Sequence, residues 1–252
     1  MDSQAKTPGS AVAAVVCYNN GANAARTLEK FPPANERDFD VVVIDDGSTD
    51  DTAEQIARFD FPVVRHPTNR GLGAAIKSGM RYAVDNGYEI LCILAGNAKD
   101  DPRQIPRLLA PIREGRADYV QGSRFAPGGS PENTPGFRFV MVKVHSRVIG
   151  LLTGFRGTDS LNGFRAYKTA LLKDEGQAAG INVWQDWLDG YELETYLHYR
   201  VLKSKRPVVE VGVSKTYPPK TQKKVKYSHI RPIRDWWRIL RPIPLLMLRL
   251  RK

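Results

Sequence analysis

The run Val41-Val42-Val43-Ile44-Asp45-Asp46-Gly47-Ser48-Thr49-Asp50 constrains the fold more than any other stretch, because four β-branched residues pass without a break into carboxylates, a glycine and hydroxyls. β-Branched side chains suit a pleated surface, and an unbroken apolar strand needs cover on both faces, as in the parallel sheets of α/β folds. Ligands of such sheets bind beyond the carboxyl ends of the strands, which would put Asp45 and Asp46 at the mouth of a site. The same block also reads as a strand and turn in which Ser48 or Asp50 caps a helix beginning near Thr52.

Two further apolar runs end in the same way. Ala11 to Val16 stops at Cys17-Tyr18-Asn19-Asn20, and Glu89 to Leu94 stops at Ala95-Gly96-Asn97-Ala98-Lys99-Asp100-Asp101-Pro102. The spacing predicts strands at 11–17, 39–45, 62–65 and 89–94, with helices near 21–31, 51–58 and 72–86 between them. That alternation argues for an α/β sheet with right-handed crossovers. Asn69 to Gly79 is a glycine-rich entry to a helix, but it lacks the Gly-Lys-Ser/Thr ending of a Walker loop. Farther along, helices are expected at 102–112, 137–153 and 191–202, and strands at 118–122 and 208–213. The Gly/Pro-rich stretch 126–136 has the composition of a lid.

At 252 residues the chain is long enough for one substantial core, and its apolar fraction of 42% excludes a disordered chain. The expected organisation is a disordered start at 1–10, one α/β domain at 11–215 and a basic amphipathic tail at 216–252. No apolar run approaches the roughly 20 residues that span a bilayer, and the polar start resembles neither a signal peptide nor an anchor. A cytoplasmic protein is expected. The two cysteines, Cys17 and Cys92, form no metal-site spacing and are expected to be reduced, buried thiols.

The ordered series Tyr18-Asn19, Ile44 to Asp50, Asn69 to Gly79, Asp101-Pro102, Gly122-Ser123-Arg124-Phe125, Asp159 with Gly163-Phe164-Arg165, and Glu192/Glu194 resembles the inverting family 2 glycosyltransferases. The similarity is greatest to the branch containing dolichyl- and polyprenyl-phosphate sugar synthases, and it covers roughly residues 11–215. It implies a GT-A, Rossmann-like fold with a mostly parallel central sheet flanked by helices. It also implies transfer of a sugar from a UDP- or GDP-linked nucleotide sugar to a lipid phosphate or a membrane-near glycan. Under the resemblance Tyr18 stacks on or brackets the base, Asp46 accepts hydrogen bonds from base or ribose, Lys77 contacts the nucleotide, and Asn19, Asp45, Gly96, Asn97, Lys99 and Arg124 complete the nucleotide-sugar-binding set. Asp159, Glu192, Glu194 and Arg165 fall to the chemical step; a hydroxyl acceptor would need one of the three carboxylates as base.

One departure bears on the cofactor. The family places an Asp-x-Asp signature, with a further polar ligand, where this chain has Ala95, Asn97 and Lys99. Hard cations such as Mg²⁺ or Mn²⁺ favour charged oxygen ligands. Either a divalent cation persists through Asn97 and the donor phosphates with Asp100, Asp101 or Asp159, or Lys99 with Arg124 or Arg165 supplies the positive charge instead. A catalytically silent nucleotide-sugar binder and a nucleotidyltransferase are the alternative functions.

The net charge of +11 is concentrated at the end: Arg200 to Lys252 carries 16 lysines and arginines against Glu210 and Asp235. There Trp236 and Trp237 sit among arginines and aliphatics, as in a segment lying in a headgroup layer, with Pro242 and Pro244 dividing it into two short helices. This composition points to the inner face of a membrane. It argues against nucleic acid, since no nucleic-acid-binding pattern accompanies the charge.

Overall fold

The computed structural model describes residues 9–218 and 234–251. The start expected to be disordered lies almost wholly outside the described residues, as do Lys220 to Lys226. In chain order the elements are β1 (Ala11–Cys17), α1 (Gly21–Leu28), β2 (Asp40–Asp45), α2 (Thr52–Ile56), β3 (Val63–Arg65), α3 (Leu72–Asp85), β4 (Ile90–Ala95), α4 (Ile105–Arg113) and β5 (Tyr119–Ser123). There follow α5 (Gly136–Thr153), β6 (Arg165–Lys168), α6 (Asp174–Ala178), α7 (Glu192–Lys203), β7 (Val208–Gly212), α8 (Arg234–Leu240) and α9 (Pro242–Met247).

The strands form one sheet in the order β3-β2-β1-β4-β6-β5-β7. All pairings are parallel except those of β6, which runs antiparallel to β4 and β5. In β1 and β2 alternate residues serve opposite layers. Ala13, Val15, Val41 and Val43 pack with Leu28, Ile105 and Leu108, whereas Val12, Ala14, Val42 and Ile44 pack with Ile76, Met80 and Leu197. Helices on both faces explain why these strands read as continuous apolar runs. Each fully buried Val, Leu or Ile contributes about 1.5–3 kcal/mol relative to exposure, so these rows hold the sheet in register.

Register then decides what meets at the sheet edge. Cys17 aligns with Asp45, and Val16 with Ala95, so three strands end level with one another. Because β6 is reversed, its first residue, Arg165, pairs with Ile93 and Gln121 near that same edge. Ser123 pairs with Gly212, bringing Arg124 and the 213–217 segment alongside. β6 has no counterpart in the sequence-based expectation: Arg-Ala-Tyr-Lys is four residues long and carries no apolar period.

The 126–136 stretch is joined to the edge of the sheet, with Ser130 N donating to Val213 O at 3.2 Å and Tyr217 N donating to Glu132 O at 3.0 Å. The described helical part of the expected tail packs on the body of the protein. Arg238 and Arg241 reach Glu192 at 2.8 and 2.6 Å, and Ile243 joins Ile149, Tyr199 and Leu202 in a small apolar cluster. Its division at the prolines is as expected, with Pro242 opening α9, where a missing N–H costs nothing.

Candidate active site

A cavity of about 660 Å³ opens where the strand ends converge. Tyr18, Asp46, Asn97, Lys99, Arg124, Arg165 and Glu194 lie on its wall, together with Asp100, Arg138, Tyr191, Lys215, Tyr217, Trp236 and Arg238. Asn19, Asp45, Lys77, Gly96, Asp101, Asp159 and Glu192 do not reach that wall.

The residues after β2 build the floor. Asp46 is 2% exposed and spends both oxygens on the following loop. Oδ1 accepts from Arg70 N at 2.9 Å and meets His66 Nδ1 at 2.6 Å; Oδ2 accepts from Asn69 Nδ2 at 2.8 Å and Gly71 N at 2.9 Å. Its carboxylate therefore shapes the entry to α3. Asp45 accepts from Ser48 N at 3.0 Å and lies 3.3 Å from Arg65. Asp50 accepts from Thr52 N at 3.0 Å just before α2, whose N-cap residue, Asp51, makes no side-chain cap hydrogen bond. Asn19, with φ of 44°, accepts from Thr49 N at 2.8 Å and links the first two loops. Gly96 donates to Val16 O at 2.8 Å and accepts from Asn20 Nδ2, closing the third loop onto β1.

Several residues expected at the site are engaged elsewhere. Lys77 Nζ donates to Asp189 Oδ1 at 2.6 Å and Gln185 O at 2.7 Å. Asp101 caps the short 3-10 turn before α4 and holds Arg103 at 2.8 Å. Glu192, fully buried, binds the two arginines of the C-terminal helices instead of facing the cavity. Asp159 lies directly behind the wall in a two-point pair with Arg124, Nε to Oδ2 at 2.6 Å and Nη2 to Oδ1 at 2.7 Å. Glu210 of β7 holds that loop by accepting from Thr158 N and Asp159 N at 2.8 and 2.9 Å. Arg165 is fixed by the carbonyls of Asn162, Glu194 and Ser160 at 2.7, 2.9 and 3.0 Å. Glu194 faces the cavity beside Gly163, where an added Cβ would sit 2.6 Å from Glu194 Oε1.

Positive charge gathers around Tyr217. Arg124 Nη1 donates to Tyr217 Oη at 3.1 Å, while Lys99 Nζ and the Arg138 guanidinium stand 5.2 and 5.7 Å from the ring centre. Lys215 binds Asp100 at 2.6 and 2.8 Å and Asn162 Oδ1 at 3.0 Å. Burial, followed by the charges of Lys215 and Arg138, pushes the Lys99 ammonium down to about 7. Burial raises both cysteine thiols well above their usual range, and both are free, as expected for inert core residues. The sequence reading assigned no role to Arg138, Tyr191 or Trp236 at the cavity. Arg138 looks like an ordinary helix residue, and no local pattern marks its approach to a loop 79 positions away.

No group of three or more His, Cys, Asp or Glu side chains suited to a metal ion occurs among the described residues.

Comparison with known proteins gives the setting. The sequence profile of glycosyl transferase family 2 matches residues 13–175. The chain is 32% identical over 202 residues to an undecaprenyl-phosphate mannosyltransferase of Micrococcus luteus, covering 78% of this chain and 79% of the relative. It is 30% identical to a polyprenol monophosphomannose synthase of Mycolicibacterium smegmatis, covering 82% and 83%. The fold is that of glucosyl-3-phosphoglycerate synthase from Mycobacterium tuberculosis, solved with Mn²⁺, UDP and phosphoglyceric acid: TM-score 0.66 at 17% identity, over 95% of this chain and 78% of that one. The chain therefore belongs to glycosyl transferase family 2, has the GT-A fold and is a glycosyltransferase.

Proposed function

We propose that the protein moves a sugar from a nucleoside diphosphate sugar to a lipid phosphate at a membrane surface, inverting the anomeric carbon. The observation that carries this reading is the cavity at the strand ends, lined with both aromatic rings and cations. The named activities of the two mannosyltransferase relatives support a lipid-phosphate acceptor. Tyr18 serves the nucleoside. An acceptor phosphate oxygen attacks the anomeric carbon from the face opposite the donor. The bond from that carbon to the β-phosphate oxygen breaks, and its electron pair leaves with the nucleoside diphosphate. A phosphate acceptor is already anionic at neutral pH and needs no base; for a hydroxyl acceptor, Glu194 is the carboxylate on the wall that could take the proton.

Membrane contact is supported by the outside of α5 and the C-terminal helices. Phe137, Val140, Val144, Val148 and Leu151 recur at helical spacing with exposures from 38 to 87%, and Trp237, Leu248 and Leu250 are similarly open. α5 contains Arg138, Lys143 and Arg147 but no acidic residue, which suits an anionic surface. No helix of the described residues is long and apolar enough to cross a membrane.

The test is incubation of the purified chain with UDP- and GDP-sugars and a short polyprenyl phosphate, following released nucleotide and the anomeric configuration of the product. The expected result is nucleoside diphosphate and an inverted glycosyl phosphate. Pyrophosphate release would identify a nucleotidyltransferase instead, and binding without turnover a silent relative.

A further inference from the structure

Four aspartates near the strand ends are each engaged by other groups, and the side chains at the positions the family resemblance assigns to a metal carry no charge that suits one. Under the family resemblance anchored on Asp101-Pro102, Ala95 and Asn97 take the places of the signature aspartates and Lys99 that of the further ligand. Asp46 receives two backbone N–H groups and two side chains, Asp100 is held by Lys215, Asp101 by Arg103, and Asp159 by Arg124. Recruiting Asp100 or Asp159 to a cation would leave a buried lysine or arginine without its counter-charge, at a cost of several kcal/mol. Lys99 Nζ and the Arg138 guanidinium stand 5.2 and 5.7 Å from the Tyr217 ring centre, and Arg124 donates to its hydroxyl at 3.1 Å, so three cations share one small region of the wall. A buried group of this composition is stabilised by an incoming anion and destabilised by an incoming cation.

We propose that Lys99, with Arg124 and Arg138 around the Tyr217 ring, holds the diphosphate of the sugar donor and neutralises its leaving charge in place of a divalent cation. The inference rests on the nucleotide-sugar reading above and specifies how that site works. Lys99 is the central group because it replaces a ligand position at the end of β4 and is only 7% exposed. Its ammonium is a compact point charge suited to phosphate, while Arg124 is aimed by Asp159 at one side and Tyr217 at the other. As the bond to the sugar breaks, negative charge grows on the β-phosphate, and cations already fixed in a partly desolvated wall stabilise it without reorganising. Lys215 acts through Asp100 and is a positioning residue.

The experiment is calorimetric titration of the full chain with UDP and with GDP, in excess EDTA and again with Mn²⁺, for the wild type and for Lys99→Met and Lys99→Arg, with thermal melts confirming the fold. Binding equal in EDTA and Mn²⁺, weakened about tenfold or more by Lys99→Met and largely recovered in Lys99→Arg, is expected. Uridine or guanosine without phosphates should bind all three proteins alike, a pattern that general damage to the pocket would not produce. Diphosphate binding that vanishes in EDTA, returns with Mn²⁺ and ignores Lys99→Met would overturn the proposal while leaving the donor reading intact. Failure of both nucleotides to bind under either condition would remove the donor reading and this inference together.

Discussion

The pair between Arg124 and Asp159 separates two accounts of a carboxylate that the sequence nominates for chemistry. Arg124 is 2% exposed and Asp159 is fully buried, and Asp159 accepts from Arg124 Nε, Nη2 and backbone N at 2.6, 2.7 and 3.1 Å. Removing one member of such a pair costs about 3–5 kcal/mol, because the remaining charge stays desolvated and unmatched. Asp159→Asn keeps one acceptor oxygen, so about 3 kcal/mol is expected. In a chain of this length about 1 kcal/mol corresponds to roughly 2–4 °C, giving a fall in Tm of about 6–12 °C. Calorimetry or fluorescence melting of the wild type, Asp159→Asn, Arg124→Met and the double variant Arg124→Met/Asp159→Leu measures it. The double variant should recover much of the loss, since an apolar pair carries no orphaned charge. A Tm change under about 2 °C in Asp159→Asn, with activity abolished, would contradict this reasoning and return Asp159 to direct contact with substrate.

Three other outcomes follow from individual residues. Burial, with a further contribution from Arg165 and against the pull of Asp159, lowers His145 to about 4, whereas the unfolded chain takes its proton near the ordinary value of 6.5. Its neutral form thus favours the fold above pH 6.5, and stability is lost as pH falls from there toward 4, by at most about 3.5 kcal/mol at about 1.4 kcal/mol per unit. Urea melts at pH 7 and pH 5 should show a smaller acid loss in His145→Gln than in the wild type; equal losses would exclude His145 as the source. Gly47 has φ of 69°, and a Cβ there would lie 2.3 Å from Thr68 C, so Gly47→Ala should destabilise by more than the roughly 1–2 kcal/mol of the left-handed region alone. An unchanged urea midpoint would refute that geometry. Anionic vesicles should float the wild type but much less of Trp237→Ser/Leu248→Ser/Leu250→Ser, a variant that leaves Ile239 and Ile243 in place; equal flotation would remove these side chains from membrane contact.

Local pattern carried much of the architecture. Apolar runs with β-branched residues located β1, β2 and β4 nearly to the residue, and their abrupt polar endings located the cavity, because register makes strand ends meet at one edge. α3, α5 and α7 were legible from helical spacing for the same short-range reason. The family was legible too, through motifs kept in order. β6 was not: a four-residue polar strand exists because β4 and β5 flank it.

Which charged side chains face the cavity was decided by tertiary structure alone. Lys215 meets Asp100 across 115 positions, Arg238 meets Glu192 across 46, and Lys77 meets Asp189 across 112. Neither partner in these pairs has a local signature. A carboxylate's availability depends on what lies within hydrogen-bond reach, and that distance is set by packing between elements. The sequence by itself determined a sheet and an edge rich in polar loops. Folding determined that the neighbouring aspartates are already matched and that Lys99, Arg124 and Arg138 gather about Tyr217 on the cavity wall, because side chains distant in sequence meet only when the elements pack.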